Sequence, residues 1–79
     1  MAGSKTLNQL PVGSAAVVRR VNAGGIMQRR LLDLGLVPGT RVEAVGRSPL
    51  GDPIAYNIRG AVIALRQEES SLVLVELES

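Results

Sequence analysis

TRVEAVGRSPLGDPIAYNIRGAVIALR, residues 40–66, is the stretch that decides the fold. Its opening segment, residues 40–47, sets Val42 and Ala44 inward against Arg41 and Glu43 outward, the two-residue period of a half-buried strand. Residues 54–58 repeat the pattern more clearly, with Ile54, Tyr56 and Ile58 on one face. Gly60 then offers a tight or bulged hairpin corner, and residues 61–66 continue as an apolar strand. Between the first two strands lies the stiff segment SPLGDP, residues 48–53. Pro49 and Pro53 fix φ there, Gly51 shapes the backbone, and Asp52 is biased to an extended conformation by the proline that follows it. This segment is read as a structural corner, with Asp52 either capping a turn or joining an exposed contact.

Working outward, residues 15–21 are rich in β-branched side chains, and residues 72–77 are apolar on both faces, the pattern of a fully buried strand. LPVG at 10–13 suits a type I turn, and VPGT at 37–40 suits a type II turn with Pro38 and Gly39 at its centre. Five short strands at this spacing predict a mainly β chain folded as a small barrel. Residues 24–36, GGIMQRRLLDLGL, break the pattern, because they are dominated by helix formers after Ile26. Met27, Leu31 and Leu34 fall on one stripe and predict a single inserted helix over about residues 25–34, lying across one mouth of the barrel. Asn22 is a candidate N-cap, and Gly35 and Leu36 are placed as C′ and C″ of a Schellman ending. Residues 1–6 are expected to be a flexible N-terminus and residues 7–79 a single domain.

Composition narrows the function. With 79 residues and one aromatic side chain, the core must be aliphatic. The chain has no cysteine and no histidine, which removes thiolate chemistry, the commonest general base and the commonest metal ligands. Serine or threonine catalysis would have to rely on one lysine and seven carboxylates, so no enzyme is read here. NAGG at 22–25 lacks the spacing and the Gly-Lys-Ser/Thr ending of a nucleotide loop. Oxygen ligands alone, from Asp33, Glu43, Asp52 or the Glu68-Glu69 pair, permit no more than weak Fe²⁺ association, so no metal site and no cofactor is assigned. The two adjacent glutamates are read as solvated.

The opening stretch MAGSKTLNQLPVGS lacks an apolar core of signal-peptide length and no apolar run approaches the ~20 residues of a membrane span, so the expectation is a cytoplasmic protein without membrane insertion. Residues 1–66 carry all nine Lys and Arg against three acids, whereas the tail from Gln67 carries four glutamates. Nucleic acid is a poor fit to this basic part, since Tyr56 is the only side chain on which a base could stack. A protein partner remains. The helix offers Met27, Arg29, Arg30, Asp33 and Leu34, with Leu36 just beyond it, as charge bordering apolar surface. Arg30→Glu is expected to leave the fold intact and weaken that contact.

The segments LNQLPVGSAAVVRRV, RRLLDLGLVPGT, SPLGDPIAYNIRG and IALRQEES followed by VLVEL resemble, in that order, the FeoA family of small accessory proteins in bacterial ferrous iron uptake. The resemblance covers roughly residues 7–77, with LGLVPGT and PLGDPIAY the most specific parts. It implies an SH3-like barrel with an inserted helix. It also implies a cytosolic module that binds the membrane iron transporter FeoB through the transporter's cytosolic region. Pro38, Gly39, Pro49, Gly51, Asp52, Pro53 and Gly60 become signature turn positions in that reading. Two rival functions share the fold: a metal-responsive regulatory module similar to the C-terminal SH3-like domain of iron-dependent repressors, and a small RNA-binding barrel.

Overall fold

Alternating and β-branched segments form the strands that their patterns predict. The computed structural model describes residues 4–78. Its strands are β1 (Ser4–Thr6), β2 (Ala15–Val21), β3 (Arg41–Arg47), β4 (Ile54–Ile58), β5 (Ala61–Leu65) and β6 (Val73–Leu77). They form one six-stranded sheet in the order β1-β6-β2-β3-β4-β5, with every neighbouring pair antiparallel. Register shifts between Val18 and Arg20 in β2, and between Ala44 and Gly46 in β3, mark bulges that bend the sheet.

The expected count of five strands rises to six. Residues 4–6, expected to be flexible, pair as Ser4 with Glu76, Lys5 with Val75 and Thr6 with Leu74. The cause is β6, whose outer backbone groups would otherwise form an open edge. Residues 1–3 of the expected N-terminus, and Ser79 at the other end of the expected domain, lie outside the described residues.

The core is aliphatic, as the composition requires. Val18, Val42, Ile54, Ile58, Leu65, Val73 and Val75 are buried from the sheet, and Leu7, Leu10, Leu31 and Leu36 are buried from the segments around it. Tyr56 is fully buried among them, and its hydroxyl donates to the Leu7 carbonyl at 3.2 Å. Leu7 belongs to a single 3-10 turn, Leu7–Gln9, so this bond ties β4 to the turn that follows β1. Strand β6 is interior but not buried on both faces: Val73 and Val75 are covered, while Leu74 and Glu76 remain half-buried.

Helix α1 spans Gly25–Asp33, with Leu34 as its C-cap. The Leu36 N–H donates to the Leu31 carbonyl at 3.2 Å and the Gly35 N–H to the Leu32 carbonyl at 2.9 Å, with Gly35 at φ +103°. This is the Schellman ending that the sequence predicts. Gly24, not Asn22, is the N-cap. The Asn22 N–H instead donates to the Leu72 carbonyl at 2.6 Å, which extends the β2–β6 ladder by one step and delays the helix. VPGT closes as expected, Thr40 N–H to Val37 carbonyl at 3.1 Å with Gly39 at φ +92°. The first turn moves to Pro11–Ser14, where Gly13 at φ +93° makes the type II geometry that a type I turn does not have. A second short helix, α2 (Gln67–Ser70), forms where the sequence suggested solvated acidic residues.

Candidate partner-binding surface

The helical period divides α1 into two faces. Leu31 is buried, and Met27 and Leu34 pack against the core from half-buried positions. Ile26, Arg29, Arg30 and Asp33 point outward at the complementary spacing. Ile26 is 89% exposed, an apolar side chain standing beside charge. Among the described residues, neither Arg29 nor Asp33 takes part in an ion pair. Sequence reasoning missed Ile26; its position off the Met27-Leu31-Leu34 stripe is the signal that marks it as outward.

Arg30 is exposed, as expected of a contact residue, but it also has an internal partner. Its guanidinium pairs with Glu69 of α2, a carboxylate that is nearly buried. The other Glu69 oxygen accepts the Arg66 N–H at 2.9 Å and so caps α2. Arg30 therefore ties two helices together, and Arg30→Glu would set two carboxylates against each other at the α1–α2 junction, one of them nearly buried. The expectation that this change spares the fold is withdrawn. Leu36 is also removed from the contact surface, because the Schellman ending folds it into the core at 0% exposure. Of the two adjacent glutamates only Glu68 is exposed.

The corner at residues 48–53 serves α2. The Ser48 hydroxyl donates to the Asp52 carbonyl at 2.8 Å and accepts the Asp52 N–H at 3.0 Å. Asp52 Oδ1 accepts the Gln67 N–H at 2.8 Å, and Gln67 Nε2 donates to the Gly51 carbonyl at 3.0 Å. A free N–H of the α2 first turn is thus satisfied by a carboxylate, which also suits the helix dipole. The Arg66 guanidinium lies 3.8 Å from the second Asp52 oxygen. The Asp52–Pro53 peptide is cis, and Gly51 sits at φ +86°. Leu50, at the corner's tip, is 94% exposed. Pro38 and Gly39 hold their own turn, and the Gly39 N–H donates to Val18 at 2.8 Å. Gly60 and Arg59, at φ +87° and +54°, form the β4–β5 hairpin turn.

The serine and threonine hydroxyls that donate hydrogen bonds among the described residues give them to an amide oxygen or to backbone carbonyls, none to a carboxylate. Among the described residues, no group of three or more histidines, cysteines or acids could hold a metal ion. The buried Tyr56 hydroxyl is a packing group whose pKa burial pushes up, partly offset by the nearby Ser70 hydroxyl and by the charge of Arg47. No helix among the described residues is long and apolar enough to cross a membrane. What the surface can do is present shape, apolar tips and unpaired charge to another macromolecule.

Comparison with known proteins gives the context. Residues 5–77 match the FeoA domain. A Fe(2+) transport protein A/Fe(2+) transporter FeoB fusion protein from Porphyromonas gingivalis is 37% identical over 73 residues, which are 92% of this chain and 9% of that protein. The chain therefore spans a small part of that relative's length. Among solved structures, a FeoA-like protein from Clostridium acetobutylicum superposes with a TM-score of 0.90 at 33% identity, covering 100% of this chain and 92% of that one. A zinc complex of FeoA from Stenotrophomonas maltophilia, described as a prokaryotic SH3-domain protein, gives 0.79 at 36% identity, covering 89% and 87%. At 19% identity the fold also recurs in a manganese-dependent transcriptional repressor, a likeness of fold alone.

Proposed function

This chain belongs to the FeoA domain family, and from that premise we propose that it is a non-catalytic accessory module that docks on a FeoB-type ferrous iron transporter through the outward face of α1. The observation that carries the reading is the fusion relative, in which an FeoA-like segment and the transporter share one polypeptide. Fusion holds two modules at high effective concentration and removes the cost of bringing them together. A module that works by contact with the transporter gains directly from that arrangement, and the transporter's cytosolic region is the part a small cytoplasmic partner could reach.

Chemistry supports contact over catalysis or metal binding. The chain contains no histidine or cysteine. Among the described residues, no group of three or more histidines, cysteines or acids is gathered that would favour a metal-held role over contact. On α1, Ile26 supplies an apolar anchor, and Arg29 and Asp33 supply two unpaired charges of opposite sign that fix orientation. The test is titration of the chain against the cytosolic region of its transporter by calorimetry. Ile26→Asp and Arg29→Glu, both exposed, are expected to fold normally and to weaken binding by about tenfold or more each. Binding unchanged in both variants rules out this face, and no binding by the unaltered chain rules out the reading itself.

A further inference from the structure

Strands β1 and β5 are the two edges of the sheet. The β1 edge is three residues long and carries Lys5, both ordinary guards against stray pairing. The β5 edge has no such guard. Ala61–Leu65 contains no charge and no proline, and its pairing with β4 runs without a bulge. The two-residue turn at Arg59-Gly60, with both φ values positive, makes Ile58 and Ala61 its closing hydrogen-bonded pair. Antiparallel ladders alternate, so Ala61, Ile63 and Leu65 bond to β4, whereas Val62 and Ala64 direct their N–H and C=O groups away from the sheet. Both residues are exposed, Val62 to 66%.

We propose that β5 is a self-pairing edge, joining antiparallel to β5 of a second copy about a two-fold axis at Ile63. In that register Val62 of each copy meets Ala64 of the other, which uses every outward backbone group of both residues. Small also faces large, since Ala61 lies opposite Leu65. The neighbouring registers are blocked. Centring on Val62 requires Gly60, whose N–H is already given to Asn57 Oδ1 at 3.0 Å. Centring on Ala64 requires Arg66, whose N–H is given to Glu69 at 2.9 Å and whose carbonyl already accepts from Glu69 and Ser70. Charge agrees with the Ile63 register. It brings Arg59 at one hairpin tip to the first turn of the other copy's α2, where Glu68 is exposed. Arg66, the cation beside that contact, is already drawn toward Asp52 at 3.8 Å. Two-fold symmetry makes each of these contacts twice.

The test uses the full chain in sedimentation equilibrium and in amide hydrogen exchange over about a hundredfold range of concentration. Self-association is expected, with the Val62 and Ala64 amides becoming protected as concentration rises. Ala64→Pro removes an N–H that the monomer does not use, so it is expected to keep the monomer's exchange pattern elsewhere and to abolish the dimer. Arg59→Glu and Glu68→Arg should each weaken association, and the two together should restore it. Four outcomes overturn the proposal: a monomer at every concentration, association that survives Ala64→Pro, a double variant as weak as the single ones, or β5 amides protected only when another protein is added. These results are independent of whether the chain binds the transporter through α1.

Discussion

Tyr56 shows how much one side chain can settle in a core with no other aromatic group. Its ring is fully buried, and its hydroxyl reaches the Leu7 carbonyl, which also accepts the Leu10 N–H at 3.1 Å. Tyr56→Phe should therefore cost only about 1 kcal/mol in denaturant unfolding, because the carbonyl keeps one partner. The same substitution has a pH signature. Burial raises the pKa of Tyr56 in the folded state, so the unfolded chain loses this proton first as pH rises. The protonated phenol's contribution is complete below the unfolded value of 10.0 and declines as pH climbs through the higher folded value. Above about pH 10 the wild-type chain should lose stability more steeply than Tyr56→Phe, as measured by urea midpoints across that range. Equal slopes would mean that the phenol is not desolvated in the fold.

At the scale of elements, the ends of helices do more than their lengths. α1 is short, and its position depends on the Schellman ending that turns Leu36 into the core. Gly35 stands at φ +103°, and a Cβ placed there would lie 3.0 Å from Ile58 Cγ2. Gly35→Ala meets both backbone strain and β4, and it should lower stability by about 1–3 kcal/mol in thermal or urea unfolding. A loss below a few tenths would show that the turn relaxes freely. The sequence made this ending legible because a Schellman motif is local: one glycine and one apolar residue at fixed offsets suffice. Strand β4 was legible to the residue for a similar reason, since a two-residue period writes itself into any half-buried strand, and β2 was legible from its run of β-branched side chains. β1 and α2 were not. Ser4–Thr6 has no apolar period, and its state depends on the free side of β6, far along the chain. α2 depends on Asp52 and Arg30, neither of which lies in its own segment.

At the scale of the molecule, charge does two separate jobs on one helix. Arg29 and Asp33 face outward unpaired, whereas Arg30, next to Arg29 in sequence, is used internally on Glu69. Local pattern cannot separate adjacent arginines, because what distinguishes them is a carboxylate 39 residues away. The same long-range link explains why the fold was easier to read than the surface: periodicity reports burial, but it does not report which exposed charge already has a partner. Separating the two arginines experimentally tests both assignments together. Arg30→Ala leaves Glu69 with its capping bond but without its cation. Because Arg30 is about half exposed, the loss should be modest, about 1–2 kcal/mol in urea unfolding. Transporter affinity measured well below the melting range should stay within about twofold of wild type, since Ile26, Arg29 and Asp33 are left in place. Arg29→Glu should show the reverse, with unchanged unfolding and weakened binding. If Arg30→Ala instead weakens binding with no loss of stability, then Glu69 is not its working partner, and the contact face extends over the junction of α1 and α2.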